Sequence, residues 1–99
     1  MKKRKLKITH RVHVFFSGRV QGVGFRYTVE RIALEIGVVG WVKNIADNRV
    51  EAVCEGTQGQ IELLLDKIKK SFLGPNIRKT VCDWEEPTRV FTDFRVEFY

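Results

Sequence analysis

The apolar residues of this chain change between the spacing of strands and the spacing of helices along its length, and the order of these changes restricts the fold. The first run, "RVHVFFS", alternates as a strand does, with Val12, Val14 and Phe16 on one side. A run with helical spacing follows and stops before Gly37, a residue type that commonly ends helices. Its apolar side consists of Phe25, Val29, Ile32, Ala33 and Ile36. The first part of the chain therefore predicts a strand followed by a helix.

Two further β-rich runs, "VVGWVKN" and "RVEAVCEG", occupy the middle of the chain. They are separated by a short segment with Asp47 and Asn48, residue types that tolerate the left-handed backbone of a tight turn. We therefore expect a hairpin. In its second strand Val50, Ala52 and Cys54 share one face, which places Cys54 in the predicted core.

A second helix and two last strands complete the pattern. Thr57 and Gln60 have the spacing of a capping box, in which each side chain bonds the other residue's backbone N–H. The helix is predicted to end at Gly74 and Pro75, and residues 77–85 and 93–98 read as strands. The apolar side of this helix consists of Ile61, Leu64, Leu65, Ile68 and Phe72.

The order of elements predicts an α+β fold: a ferredoxin-like split β-α-β sandwich, βαββαβ with a short extra terminal strand. Two helices would cover one face of an antiparallel sheet. In this topology the first two strands run parallel with the third between them, so Gly18 and Asn44 lie at the same sheet edge. Two strand spacings place them about 10 Å apart, a span that the loop of residues 18–24 can bridge.

The positive charge is concentrated at the start of the chain. The 99 residues contain 18 Lys and Arg against 12 Asp and Glu, a net charge of +6. Lys2, Lys3, Arg4, Lys5 and Lys7 supply +5, so residues 8–99 carry 6 − 5 = +1. We therefore predict a basic, disordered tail over residues 1–10 and one domain over residues 11–99. Nucleic acid is disfavoured as a partner, because phosphate backbones require basic residues clustered on a folded face.

Nothing in the sequence predicts export, a membrane span or a metal site. A secretory signal needs an unbroken apolar core, which the polar residues of "KITHRVHVFF" interrupt, and no apolar run approaches the roughly 20 residues of a bilayer span. We therefore expect a cytoplasmic location. Cys54 and Cys82 lack metal-ligand spacing and are expected to be buried free thiols, with a disulfide the less favoured alternative.

The segment "SGRVQGVGFRYTVE" joins the first strand to the first helix and predicts an anion site. Gly22 and Gly24 permit backbone conformations that turn successive N–H groups inward. The helix that begins near Phe25 adds free N–H groups and its dipole. Arg26, in the first turn, offers a planar guanidinium that can grip two oxygens at once. The segment therefore favours a tetrahedral dianion such as phosphate.

Other glycine-rich motifs fit this segment poorly. The patterns GxxxxGK[ST] and GxGxxG, which bind nucleotides and dinucleotides, are both absent. The RNA-recognition motif would need a stacking aromatic residue where Val23 stands and an apolar residue where Arg26 stands, and it would lie in a central strand. An RNA-binding role is therefore disfavoured.

Four segments of the chain together resemble the acylphosphatase family. They are "GRVQGVGFRYTVERIA" (18–33), "GVVGWVKNIADNRVEAVCEG" (37–56), "GPNIRKTV" (74–81) and "FTDFRVEFY" (91–99). Lys43 and the pair Asp47-Asn48 depart mildly from the family pattern. The resemblance implies a hydrolase that splits acyl phosphates into a carboxylate and inorganic phosphate with no metal or cofactor. It implies that Arg26 grips the phosphate and that Asn44 positions water. The implied phosphate-binding loop consists of Gln21, Gly22, Val23, Gly24, Phe25 and Arg26.

These residue types suit the implied chemistry. Asn44 is neutral and cannot serve as a base at pH 7, but its amide can orient a water molecule. We expect the phosphate itself to take the proton of that water, and a covalent route through a serine, threonine or cysteine is disfavoured because none has a partnered base. The expected partners are an acyl phosphate, with inorganic phosphate or sulfate also binding the loop, and the expected state is a monomer.

Two alternatives stay open. The first is a non-catalytic phosphate- or RNA-binding module of the same fold, which would need Arg26 but would have no use for Asn44. The second is a carbamoyl-phosphate-handling domain of a larger protein, which is disfavoured for a chain that ends at Tyr99. The sequence does not specify the physiological acyl phosphate.

Overall fold

The computed structural model of the protein describes residues 7–98, so residues 1–6 of the predicted tail and Tyr99 lie outside the described residues. The elements are β1 (His10–Gly18), α1 (Phe25–Ile36), β2 (Val39–Asn44), β3 (Val50–Gly56), α2 (Gln58–Lys70), a short 3₁₀ helix (Gly74–Asn76), β4 (Ile77–Glu85) and β5 (Phe94–Glu97). Their order confirms the predicted ferredoxin-like fold.

The strands form one sheet in the order β4-β1-β3-β2-β5. β1 pairs antiparallel with β3 and β4, and β2 pairs antiparallel with β3 and parallel with β5. β1 and β2 therefore run parallel with β3 between them, as predicted. Gly18 and Asn44 end their strands at the same edge of the sheet.

One core lies between the sheet and both helices. It combines alternate residues of the strands, including Val12, Val14 and Phe16, with the buried sides of α1 and α2. Phe16 and Phe25 meet edge to face with ring centres 5.0 Å apart, which joins β1 to the first turn of α1. The start of α1 is thereby fixed against the end of β1.

Helix α1 has the predicted apolar face and the predicted end. Phe25, Val29, Ile32 and Ala33 are buried, and Ile36 packs against the core. Gly37 follows with a φ of 98°, and its N–H donates to the carbonyl of Ala33 at 2.8 Å.

The capping box of α2 is confirmed, but the predicted end of this helix is wrong. The backbone N–H of Gln60 donates to Thr57 Oγ1 at 3.1 Å, and that of Thr57 donates to Gln60 Oε1 at 2.9 Å. The helix ends at Lys70, before Gly74, because the hydroxyl of Ser71 bonds the carbonyl of Ile68 and turns the chain.

The early end of α2 also alters its apolar face. Phe72 is 73% exposed, although the helical spacing predicted that it would be buried. Leu73 is buried in its place. Since Phe72 lies beyond the last helical turn, the period of the helix no longer determines its direction.

The two cysteines differ in their surroundings. Cys54 is buried, as predicted, and burial raises the pKa of its thiol to about 12. The prediction that Cys82 is also buried is wrong, because β4 is an edge strand. β1 separates the strands that carry the two residues, so about two strand spacings, or about 10 Å, lie between them. A disulfide needs Cα atoms within about 7 Å and is excluded in this fold.

Across residues 7–98, neither helix has both the length and the apolar character needed to cross a bilayer.

Candidate functional site

The loop between β1 and α1 uses two glycines in left-handed conformations. Gly22 and Gly24 both have a φ of 76°. A Cβ atom added to either would meet nothing within 4 Å, so the backbone conformation, and not crowding, is what favours glycine here. The loop therefore depends on backbone freedom at these two positions.

Gly24 is also the residue that precedes α1, and no side chain caps this helix. The first helical hydrogen bond runs from the N–H of Thr28 to the carbonyl of Gly24 at 3.1 Å. The N–H groups of residues 25–27 come before that bond, so they have no partner within the helix. Together with the helix dipole, they are suited to binding an anion.

The Gln21 side chain fastens this loop to the hairpin between β2 and β3. Its Nε2 donates to the carbonyl of Ile45 at 3.0 Å and to the carbonyl of Arg49 at 2.8 Å. The hairpin turn contains Asp47 and Asn48 with φ values of 64° and 59°, the left-handed conformations that the sequence predicted. Both amide hydrogens of Gln21 are therefore engaged, and the side chain supports the loop.

Val23 and Phe25 of the predicted loop direct their side chains toward the interior. Val23 packs against the core and Phe25 is buried within it. They therefore offer backbone N–H groups, and not side-chain atoms, to a ligand.

Asn44, the last residue of β2, carries an unpartnered polar atom. It lies opposite Val50 and has the same parity as Val42, so its side chain is on the face of the sheet that the helices cover. Its Oδ1 is buried and accepts no hydrogen bond from any residue between 7 and 98. A buried carbonyl oxygen without a partner is costly, so the site favours a donor such as water there.

Arg26 lies in the first turn of α1, and its guanidinium packs against two aromatic rings. Its Cζ is 5.2 Å from the centre of the Phe98 ring and 5.8 Å from that of Tyr27. In the described part of the chain, no carboxylate forms an ion pair with Arg26. Among residues 7–98, its N–H groups therefore have no anionic partner.

Arg26 and Asn44 approach the same end of the sheet. β5 runs parallel to β2 with Glu97 opposite Lys43, so Phe98 comes next, beside Asn44. Since Arg26 packs on Phe98, its guanidinium is directed toward the end of β2. The structure thus places Arg26 and Asn44, the two residues that the resemblance suggested, at the same end of the sheet.

Other chemically active groups lie elsewhere. His13 alternates with the core residues Val12 and Val14, so it is on the opposite face of the sheet from Asn44, where its ring nitrogen bonds Glu51. No group of three His, Cys, Asp or Glu side chains within residues 7–98 is placed to hold a metal ion. A cavity of about 600 Å³ between α2 and β4 contains no residue of the loop and does not include Asn44.

Sequence reasoning missed two contributions to this site. It assigned Gln21 to ligand binding without its bonds to the hairpin, and it gave Phe98 no place at the site. A glutamine in a glycine-rich loop signals no particular partner. The position of Phe98 depends on the pairing of β5 with β2, which no local pattern reveals.

The comparisons of this chain with known proteins agree with one another. The family model described as Acylphosphatase matches residues 12–96. An acylphosphatase of Chloroflexus aurantiacus is 50% identical over 82 residues, covering 79% of this chain and 85% of the relative. An acylphosphatase of Trichormus variabilis is 44% identical over 80 residues, covering 78% and 76%. The crystal structure of acylphosphatase from Bacillus subtilis superimposes with a TM-score of 0.82 and 28% identity, covering 89% of this chain and 98% of that one.

Proposed function

Because the chain belongs to the acylphosphatase family and is a hydrolase of acyl phosphates, we propose that residues 21–26 bind the phosphate group and that Asn44 positions the attacking water. The observation that carries this proposal is the buried, unpartnered Oδ1 of Asn44, which lies on the helix-covered face at the end of β2. A site for phosphate alone would gain nothing from this acceptor. A hydrolase gains a group that accepts a hydrogen bond from water and orients its oxygen.

The phosphate group is held by fixed positive charge. Arg26 donates through its guanidinium, and the free N–H groups at the start of α1 donate from the backbone. In phosphoryl transfer the transition state is loose and its charge spreads over the equatorial oxygens, so positioning and charge neutralisation supply most of the catalysis. The residues of the loop are suited to both tasks.

The proposed step is a direct displacement at phosphorus. The water oxygen forms a bond to phosphorus, and the bond from phosphorus to the acyl oxygen breaks. The electron pair of that bond leaves with the carboxylate, a stable anion that needs little acid assistance. The water proton passes to a phosphate oxygen, which agrees with the position of His13 on the opposite face of the sheet.

The proposal is tested with benzoyl phosphate hydrolysis in the presence of a metal chelator. Asn44→Ala is expected to lower kcat by about 10²–10³-fold, as the loss of one preorganised hydrogen-bonding group does in other sites. Inorganic phosphate should inhibit this variant as well as it inhibits the wild type. Arg26→Ala is expected to lose both turnover and phosphate affinity.

The control is Gln58→Ala, which removes an exposed amide from the start of α2 and should behave as the wild type. If Asn44→Ala keeps most of kcat, the water-positioning role is wrong. If the folded wild type fails to hydrolyse benzoyl phosphate with the chelator present, the metal-free scheme is wrong. A wild type that then binds phosphate without turnover under any condition would favour the non-catalytic binding module.

Four further predictions belong to this proposal. They are a cytoplasmic location, a monomeric state, binding of inorganic phosphate or sulfate in the loop, and a domain over residues 11–99 that follows the basic tail of residues 1–10. In the monomer, one copy of the chain supplies Arg26, Asn44 and the loop.

A further inference from the structure

We propose that Arg19 and Arg78 form a second anion-binding subsite beside the phosphate loop, which takes a negatively charged group carried by the acyl part of the substrate. This inference rests on the proposed function of the loop, because it assumes that the phosphate of the same substrate lies at residues 21–26.

A cavity of about 310 Å³ adjoins the first half of the loop. Its lining residues are Gly18, Arg19, Val20, Gln21, Asn48 and Arg78. The cavity shares Gln21 with the proposed phosphate-binding segment and ends where that segment begins. A ligand bound through its phosphate at residues 22–26 can therefore extend a short acyl chain into this cavity.

The charge of the cavity is positive and unbalanced. Two arginines line it and no carboxylate does. Within the described residues, neither Arg19 nor Arg78 forms an ion pair or a side-chain hydrogen bond. Two positive charges that border one cavity attract an anion and repel each other when none is bound.

The other described arginines are all engaged. Arg11, Arg31 and Arg95 pair with carboxylates, and Arg89 donates to a backbone carbonyl. Arg26 and Arg49 pack over aromatic rings. The two arginines that have no such partner are therefore the two that line the same cavity.

Backbone contacts at the start of β4 anchor both arginines. The antiparallel pairing of β1 with β4 shifts register at Gly18, which lies opposite Ile77, and Arg78 is the unpaired extra residue at this shift. The N–H of Arg19 donates to the carbonyl of Asn76 at 2.9 Å, which fixes the start of the loop against the start of β4. Both arginines are thus anchored through the backbone beside Gly18.

The hairpin closes the cavity on another side. Asn48, at its turn, contributes an amide that can donate to an anion. Gln21 holds the hairpin to the loop, so the three segments that form the cavity keep their relative positions. Guanidinium and amide donors in a cavity that no carboxylate lines suit a carboxylate or another anion.

The test compares succinyl phosphate with butyryl phosphate, which have acyl chains of equal length and differ in a terminal carboxylate against a methyl group. The measured quantity is the ratio of their kcat/KM values at low salt. Two exposed arginines together contribute up to about 25-fold to this ratio, since each exposed ion pair is worth at most about a factor of five. Arg78→Gln is expected to lower the ratio by about 3- to 5-fold, and Arg19→Gln by a similar factor.

The matched control is Lys79→Gln, which removes the same charge from the next residue of β4. Lys79 is not among the residues that line this cavity, so its loss should leave the ratio as in the wild type. The proposal is overturned if Arg78→Gln keeps the wild-type ratio, or if Lys79→Gln lowers it as much. If the wild type hydrolyses neither substrate, the proposed function fails instead.

Discussion

Phe98 and Arg26 form a cation–π pair, with the guanidinium carbon 5.2 Å from the centre of the ring. Phe98 follows β5 at the level of Asn44, because Glu97 lies opposite Lys43 in the parallel pairing with β2. The ring is 65% exposed, so it adds little to the core. We therefore expect Phe98 to act as a positioning residue that orients Arg26 toward the proposed phosphate site.

Phe98→Leu is expected to weaken phosphate binding without unfolding the protein. A cation–π contact at an exposed site is worth about 0.5–1 kcal/mol, so the inhibition constant of inorganic phosphate should rise by about 2- to 5-fold. The melting temperature should stay close to that of the wild type because the side chain is largely exposed.

Two variants make this prediction specific to the aromatic face. Phe98→Tyr keeps the ring and should restore phosphate affinity. Phe72→Leu makes the same change at a 73% exposed residue after α2 and should have no effect. A Phe98→Tyr variant as weak as Phe98→Leu would show that the ring face is not what orients Arg26.

Gln21→Leu should reduce both activity and stability, because it removes the two bonds from the loop to the carbonyls of Ile45 and Arg49. Two hydrogen bonds lost in partly buried surroundings cost about 1–3 kcal/mol, measurable by urea unfolding. We expect kcat/KM to fall by about 10-fold, since small displacements of a binding loop have large effects on rate. Gln58→Leu is the control, and equal losses in both variants would contradict the supporting role of Gln21.

Gly24→Ala tests the backbone requirement of the loop. The position has a φ of 76° and open space around the missing Cβ, so the cost is conformational and amounts to about 1–2 kcal/mol. Relaxing this strain would displace the first N–H groups of α1, and phosphate affinity should fall. Gly59→Ala is the control, because it lies in helix α2 with equal space and should stabilise the protein by about 0.5–1 kcal/mol. Wild-type stability and phosphate affinity in Gly24→Ala would show that the loop does not require glycine at this position.

The local sequence pattern predicted the helices and strands of this fold well. It gave wrong predictions of burial where burial depends on neighbouring elements. The alternation of Val12, Val14 and Phe16 and the helical spacing of α1 have physical causes within one element, and both were confirmed. Cys82 was expected in the core, but a strand's period does not reveal that β4 forms an edge beyond the cover of the helices. The prediction that Phe72 is buried was wrong because the hydroxyl of Ser71 ends α2 before Phe72.

In the candidate site, some features follow from the order of elements and others depend on the register between strands. The order of elements was enough to place Gly18, which begins the loop, and Asn44 at one sheet edge, since parallel strands of this topology end together. The contact between Arg26 and Phe98 requires the register of β5 against β2. Such pairing joins residues distant in sequence, and a single sequence carries no local signal for it.

A buried carboxylate holds the connection between β4 and β5. Glu55 is 0% exposed and accepts hydrogen bonds from Arg11 Nη1 and from the backbone N–H groups of Thr88 and Arg89 at 2.9–3.0 Å. The hydroxyl of Thr88 donates to it as well. Burial by itself raises the pKa of Glu55, but these four donors outweigh that effect and hold the pKa below its usual value.

The lowered pKa makes Glu55 a source of acid sensitivity. A carboxyl whose pKa is lower in the folded state stabilises the protein above its unfolded pKa of about 4.3, and this contribution is lost as the pH falls through the folded pKa. Glu55→Gln should cost about 2–4 kcal/mol at pH 7, because it leaves the donors and the charge of Arg11 poorly matched. Its free energy of unfolding, measured with urea from pH 6 to pH 3, should then fall less steeply than that of the wild type. Glu35→Gln, at an exposed pair with Arg31, should follow the wild-type curve. Parallel curves for Glu55→Gln and the wild type would show that Glu55 is not the group whose protonation destabilises the fold.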